Sequence, residues 1–380
     1  MKRALRSVIG SLWFAAAVGG LLASQQVGWA QAPDIAEEVR ESVRARVDHG
    51  YNFGIVVGVV SPAGTRYYGY GKTAASGGTT PDEHSVFEIG SITKAFTGIL
   101  LADMVERGEV HLEDPIELYL PSTVRVPTRG GQSITLVHLA THRSGLPRLP
   151  DNMDPADPSN PYADYSVEQM YEFLSGHTLR RDIGAEYEYS NLGGGLLGHV
   201  LALRAGRSYE ELVTARIADE LGMAATRVTF TPEMQSRLAV GHRGPNEVPN
   251  WDIPTLAGAG ALRSTAHDML LFLSANMGLT ESRLLGAMET SHESREEAGS
   301  PSMRIGLGWH IRLSGEREII WHNGGTGGYR SFAGFVRGGQ TGVVVLSNTS
   351  TSADDIGFHM LDPSLPLREI QVAVDVDPAL

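Results

Sequence analysis

The chain has no cysteine, only three lysines against 28 arginines, and no long apolar run after its first thirty residues. The absence of cysteine excludes disulfides, thiolate metal sites, a cysteine nucleophile and a lipid-modified N-terminal cysteine. A chain of 380 residues that is 42% hydrophobic and 20% charged has core enough to stand without such staples. Lacking a later run of about 20 apolar residues, it has no membrane span beyond the N-terminus. Positive charge is also short: the formal net charge is −13, with no basic stripe. A surface of that sign repels nucleic acid and anionic membrane, so nucleic-acid binding is set aside.

The N-terminus carries its own signal. Lys2, Arg3 and Arg6 precede an apolar run from Val8 to Ala23, and Gly28-Trp29-Ala30 or Ala30-Gln31-Ala32 offers small residues for cleavage. This pattern predicts an export signal over residues 1–30, cut after Ala30 rather than just before Pro33. The run is short for an uncleaved anchor. Removal of its three cations takes the net charge to −16, and the expected location is periplasmic or secreted.

Further along, Ile35, Val39, Val43 and Val47 recur every fourth residue and predict a helix ending at Gly50. Residues 54–60 and 67–70 read as strands joined by a turn at Ser61-Pro62-Ala63-Gly64. Helical patterns fill the middle, at 136–142, 167–174, 196–203, 209–221 and 266–277. Strand patterns return at 305–311, 318–321, 332–336 and 343–346, before a short helix at 354–360. An α+β architecture accounts for this order: one sheet from both chain ends with a helical insertion, and a site between the two parts. The expected catalytic domain spans 33–366, with an α/β lobe over 33–88 and 303–366 and a helical lobe over 89–302. A tail occupies 367–380. Gly145 to Tyr165 holds five prolines and reads as a fixed loop that walls or covers a site.

One of the three lysines stands out. In Gly90-Ser91-Ile92-Thr93-Lys94, a serine precedes a lysine by three residues at the head of an apolar pattern running through Phe96, Ile99, Leu100 and Met104 to Gly108. That pattern reads as a helix buried on one side. Positions i and i+3 share a helix face, so the lysine can take the proton that a serine nucleophile must lose. A buried lysine deprotonates readily, which arginine cannot do. Ser91 would open the helix, where free N–H groups favour a developing oxyanion. The plainer alternative makes Ser91 a cap and Lys94 a solvated charge.

Two further constellations follow. In Tyr187-Glu188-Tyr189-Ser190-Asn191-Leu192-Gly193, a tyrosine beside a lysine can have its pKa lowered and shuttle a proton. Alternatively Tyr189 packs in the core and Asn191 caps a helix beginning near Leu192. Trp321-His322-Asn323-Gly324-Gly325-Thr326-Gly327-Gly328 ends a predicted strand; its glycines admit a substrate to the backbone and leave N–H groups for an oxyanion. The alternative is a plain hairpin turn. His138 and His142 have zinc-like spacing but no glutamate between them and no evident third ligand, so they read as helix-packing residues and no metal is expected. Asp182, Glu186 and Glu188 read as a solvated loop face, and Lys72 as a solvated turn.

Taken in order, the three motifs resemble the serine β-lactamase and penicillin-recognising D-alanyl peptidase superfamily. The nearest likeness is to class C β-lactamases and to the secreted D-Ala-D-Ala carboxypeptidases and esterases of the same fold. The resemblance runs from about Val56 to Ser347 and takes in His138 to Pro147, Gly260 to Thr265 and Gly306 to Trp309. It implies a β-lactamase-like fold, an antiparallel sheet flanked by helices plus an all-helical lobe. By the same resemblance Ser91 is the acylated nucleophile, Lys94 and Tyr189 share the base role, and Asn191 orients the substrate. The backbone N–H groups of Ser91 and Gly325 would form the oxyanion hole, with His322 and Gly324 in the third motif.

His322 stands where class C β-lactamases usually carry lysine, and a histidine is charged only in part near neutrality. That feature resembles the peptidase and esterase branches. The reaction implied is a double displacement on a β-lactam or D-Ala-D-Ala-type amide, in a small-molecule or peptidoglycan-derived substrate, without metal or organic cofactor. A carboxylesterase is the alternative, and a penicillin-binding sensor without turnover a third. The tail resembles a linker that leads, in some relatives, into a small β domain; no second module is expected here.

Overall fold

The computed structural model describes residues 34–370; the expected export signal, its cleavage site and the last ten residues of the tail lie outside the described residues. Strand β1 (Gly54–Ser61) is apolar from Gly54 to Val60 and buried over that length, the pattern of a strand covered on both faces. With it run β2 (Gly64–Gly71), β3 (Glu296–Glu297), β4 (Met303–Ile305), β5 (His310–Ser314), β6 (Arg317–Gly325), β7 (Arg330–Val336) and β8 (Gly342–Ser347). They form one sheet in the order β2-β1-β8-β7-β6-β5-β4-β3. All neighbours are antiparallel. The chain ends meet where β1 pairs with β8, Ile55 opposite Ser347.

The helices that matter for the site are α1 (Glu37–Asp48), α2 (Thr93–Glu106), α3 (Asn191–Ala205), α4 (Ala266–Asn276) and α5 (Asp354–Leu361). Because side chains alternate along a strand, Ile55, Val57 and Val59 serve one face of the sheet and Val56 and Val60 the other. The first set packs with Val39 and Val43 of α1 and with Ile356 and Leu361 of α5. The second joins a core shared with α2, α3 and α4. Each fully buried Val, Ile or Leu contributes about 1.5–3 kcal/mol to holding these layers together. No helix among the described residues is long and apolar enough to cross a membrane.

Several elements differ from their sequence patterns. Helix α2 is not buried on one side only: every residue from Thr93 to Met104 is buried, so it is the central rod of the helical part. Helix α3 begins at Asn191, five residues before its apolar repeat but in keeping with a helix start near Leu192. The strand expected over 305–311 is broken into β4 and β5 by a turn at Gly306 to Trp309. Gly308 has φ +74°, and a Cβ there would lie 2.1 Å from the carbonyl oxygen of Lys94. Its N–H donates to the carbonyl of Ala140 (3.1 Å). The interruption lets this turn dock on α2 beside the lysine.

Gly308→Ala is accordingly expected to lose more than about 3 kcal/mol, because positive φ costs about 1–2 kcal/mol and the turn must also leave the Lys94 backbone. Gly50→Ala isolates the first contribution, since Gly50 has φ +71° and nothing within 4 Å of an added Cβ. Urea unfolding of the two variants checks this; equal losses would show that the close approach costs nothing.

Candidate active site

Ser91 occupies a single 3-10 turn, Gly90–Ile92, immediately before α2. No side chain caps the turn or the helix, so Ser91 is not spent as a cap. The turn is fixed from outside. The Thr93 hydroxyl donates to the carbonyl of Gly90 (2.7 Å) and the Ser331 hydroxyl to that of Ile89 (2.8 Å). Strand β6 lies directly on it: a Cβ at Gly324 would stand 2.0 Å from the carbonyl oxygen of Ile89, so only glycine fits.

Lys94, one helical turn on, is 2% exposed. Its Nζ lies 3.1 Å from Ser91 Oγ and donates to Asn191 Oδ1 (2.9 Å) and to the carbonyl of Ala259 (2.7 Å). Burial, reinforced by the charge of Arg148, holds its pKa well below the usual lysine value. A neutral amine has two hydrogens and one lone pair. With both hydrogens directed at Asn191 and Ala259, the lone pair is left facing Ser91.

The second motif is set by the start of α3. Ser190 is the N-cap: its Oγ accepts from the N–H of Gly193 (2.8 Å) and donates to the carbonyl of Pro147 (2.7 Å). Asn191 is thereby free of capping. Its Oδ1 serves Lys94 and its Nδ2 donates to the hydroxyl of Tyr162 (3.2 Å). The Tyr189 hydroxyl hydrogen-bonds the Ser91 side chain. Lys94 Nζ and the Arg148 guanidinium carbon lie 4.7 Å and 5.1 Å from its ring centroid. The phenol pKa is not lowered as expected. Burial pushes it up to about 12, outweighing the Ser91 bond and Arg148, so the phenol is protonated at neutral pH.

The third motif departs furthest from expectation. Gly324 and Gly325 border the cleft, but His322 does not. It is 1% exposed, its Nδ1 is 2.6 Å from the carbonyl of Asn323, and its Nε2 is without a partner among the described residues. Its ring sits behind Tyr189, 6.3 Å between centroids, and 5.0 Å from that of His310. Burial, then the neighbouring His310 and Lys94, drive its pKa well down; burial takes His310 down to about 4. The partly charged imidazole expected here is a neutral one.

Ser91, Tyr189, Asn191, Gly324 and Gly325 meet at a cleft of about 620 Å³. The loop from Gly145 to Tyr165 walls it through Arg148 and Tyr162. A recess of about 20 Å³ touches Gly90, Ser91 and Gly325, room for one small atom such as a carbonyl oxygen. A larger hollow of about 800 Å³, near Phe53, Tyr70 and Lys72, holds none of these groups.

The two spaced histidines part company. His138 Nδ1 closes a capping box with Thr135, 3.2 Å from its N and 2.8 Å from its Oγ1. His142, at φ +57°, accepts the N–H of Ser190 on Nδ1 (3.1 Å) and lies 4.5 Å from the Tyr189 ring. It positions the second motif rather than merely packing. Asp182 pairs with Arg129 and Glu188 with Arg181, and Lys72 is exposed. The residues that sequence reasoning passed over are Arg148, Tyr162, Trp251, His310, Arg330 and Asp354, all bordering the cleft. For Arg330 a signal existed: hairpin symmetry about Thr326 to Tyr329 sets it opposite Gly325.

A serine bonded by a buried lysine and a phenol at the edge of such a cleft defines a serine hydrolase of the β-lactamase and D-alanyl peptidase class. A family model described as Beta-lactamase matches residues 39–358, and the chain belongs to that family. It is 29% identical over 366 residues to the D-alanyl-D-alanine-carboxypeptidase/endopeptidase AmpH of Escherichia coli (strain K12), covering 92% of each. A β-lactamase of the same strain is 25% identical over 331 residues, covering 78% of this chain and 84% of the relative. Among solved structures, a β-lactamase/D-alanine carboxypeptidase from Yersinia pestis aligns with TM-score 0.73 and 24% identity over 84% of this chain and 96% of that one. A class C β-lactamase aligns with TM-score 0.75 and 22% identity over 88% and 97%. The β-lactamase-like fold implied by the motifs is the one observed.

Proposed function

We propose that the protein is an exported hydrolase that forms an acyl-enzyme on Ser91 and cleaves D-alanyl-D-alanine-type amides or β-lactams. One observation carries the reading: a buried Lys94 whose Nζ lies 3.1 Å from Ser91 Oγ and has two further acceptors, Asn191 Oδ1 and the Ala259 carbonyl, for its hydrogens. As Oγ bonds to the carbonyl carbon, its proton passes to Lys94 Nζ. The carbonyl electrons move to an oxyanion held by the N–H groups of Ser91 and Gly325. Collapse breaks the C–N bond, and the leaving nitrogen takes a proton from Lys94 by way of the Tyr189 hydroxyl. Water then attacks the ester, its proton passing to Lys94, and the acid leaves with Ser91 restored. The high phenol pKa supports Lys94 as the base and Tyr189 as a donor.

Asn191 Nδ2 orients the substrate carbonyl in this scheme, and Gly324 keeps β6 against the nucleophile. The export signal over 1–30 and the catalytic domain over 33–366, with the lobes given above, belong to the same proposal. They would place the enzyme where peptidoglycan and β-lactams are met. The name of the AmpH relative supports D-alanyl peptides as substrates. The neutral His322 favours a second reading, a carboxylesterase, since it brings no charge to the third motif.

Incubation with benzylpenicillin and with a fluorophosphonate, followed by mass spectrometry and peptide mapping, is expected to find a single adduct on Ser91. No adduct, or one on another residue, would sink the mechanism. Turnover of nitrocefin, D-Ala-D-Ala peptides and p-nitrophenyl esters then separates amide from ester chemistry.

A further inference from the structure

Helix α2 is buried and mostly apolar through Met104, yet its first five residues include three polar ones, Thr93, Lys94 and Thr97. Burying polar groups costs free energy unless each finds a partner. At spacings of one, three and four residues the three share a face, and all of them reach one short segment. Thr93 Oγ1 accepts the N–H of Leu262 (3.2 Å), Lys94 Nζ donates to the carbonyl of Ala259 (2.7 Å), and Thr97 Oγ1 donates to that of Gly258 (2.8 Å). Thr93 also fixes the nucleophile turn through Gly90, and Lys94 belongs to the site. Thr97 is the member of the set that the reaction above leaves unused.

The segment cannot place itself. Ala257–Gly260 is a helical turn of four residues with no side-chain cap, too short to be stable alone. On its far side α3 presents bare backbone: a Cβ at Gly198 would stand 2.7 Å from Gly258 Cα, and one at Gly194 would stand 2.9 Å from Lys94 Cε. That packing sets how near the segment lies, and hydrogen bonds set where its carbonyls point. The Thr97 hydroxyl has one hydrogen and two acceptors in reach, Gly258 at 2.8 Å and the Thr93 carbonyl at 3.2 Å. The buried hydroxyl of Tyr209 lies 2.8 Å from Thr97 Oγ1. Burial pushes this phenol's pKa up, so it keeps its proton and can give it to Thr97, whose own hydrogen then goes to the nearer carbonyl.

We infer that Thr97 is a positioning residue for the base: braced by Tyr209, it holds Gly258 so that the next carbonyl, that of Ala259, meets a hydrogen of Lys94 and the lone pair stays on Ser91. The inference rests on the proposed role of Lys94 and deepens it, making that role depend on a hydroxyl that touches neither substrate nor the reacting atoms. Loosening the segment has two consequences. The base loses its alignment, and misplacements of an ångström cost up to about 100-fold in rate. The ammonium form also loses an acceptor, so Lys94 gives up its proton more easily still.

Thr97→Val keeps the branched shape and removes the hydroxyl, Thr97→Ser keeps the hydroxyl, and Lys94→Met is run beside them. The rate of Ser91 acylation by a fluorophosphonate, and kcat/KM for whichever substrate the wild type turns over, are measured against pH and expressed per site titrated. Thr97→Val is expected to lower both about 10- to 100-fold at neutral pH, through kcat rather than KM, and to move the acid limb to lower pH. Thr97→Ser should stay within about threefold of wild type with its limb in place. Tyr209→Phe should shift the limb the same way with a smaller loss. A Thr97→Val protein that is less stable to urea but keeps wild-type rates per site, or loses rate with its limb unmoved, would show a merely structural threonine and overturn the inference. Should that variant fail to fold, Tyr209→Phe decides, and an unmoved limb there overturns it equally. If Lys94→Met abolishes the limb while Thr97→Val matches wild type, the positioning role falls and the base stands. If Lys94→Met keeps the limb, or Ser91 is never acylated, both fall.

Discussion

Ser91→Ala is expected to lower kcat/KM about 10⁶-fold, for amide and ester substrates alike, while leaving the fold in place. The size of the loss follows from the number of steps that pass through Oγ in the proposed mechanism, where attack, the covalent intermediate and its release would all require it. The survival of the fold follows from how little else the side chain does. It caps neither its turn nor α2, and its partners are Lys94 and Tyr189, both members of the site. The turn itself is fixed by Thr93, Ser331 and the close approach of Gly324, none of which the substitution touches. Steady-state kinetics and thermal unfolding on the same preparations read the two halves. A variant with a tenth of wild-type activity would remove Ser91 as nucleophile; one that unfolds at room temperature would show that the serine is structural.

How much of this was readable from residues alone depended on the range of the forces involved. Ser91 and Lys94 are neighbours by helical geometry, so three residues of spacing sufficed to pair them. The roles of Ser190 and Asn191 were not separable, because both residue types make good N-caps. What decides between them comes from far along the chain, in the bonds of Ser190 to His142 and Pro147. The run Ile305, Leu307, Trp309, Ile311 alternates as a strand should, and the rule failed because Gly308 takes a positive φ to meet α2. The charge of His322 was out of reach for a related reason: its ionisation is set by burial among His310, Tyr189 and Lys94, residues scattered over more than two hundred positions.

Lys94→Met should cost about 10³-fold in kcat/KM, within the 10²–10⁴ range that a general base commands. Lys94→Arg should fare no better, since a guanidinium retains the charge but has no lone pair to give. The pH dependence identifies the group. The folded-state pKa of Lys94 is depressed by burial, whereas in the unfolded chain a lysine titrates near about 10.4. Between those values the unfolded chain binds a proton that the folded protein does not, so wild-type stability rises with pH across the window. Below the folded pKa both states are protonated and the folded state bears the full penalty of a buried ammonium. Lys94→Met removes this titration. The stability of the wild type relative to the variant should therefore grow as pH rises from the depressed folded-state pKa toward about pH 10, measured by urea unfolding at several pH values. Activity should follow the same proton: kcat/KM of the wild type climbs as Lys94 deprotonates, and the residual activity of Lys94→Met lacks that limb. If the variant kept the limb, the base would have to be another group. Tyr189, with its phenol raised to about 12, would then have to titrate far more easily than its burial allows.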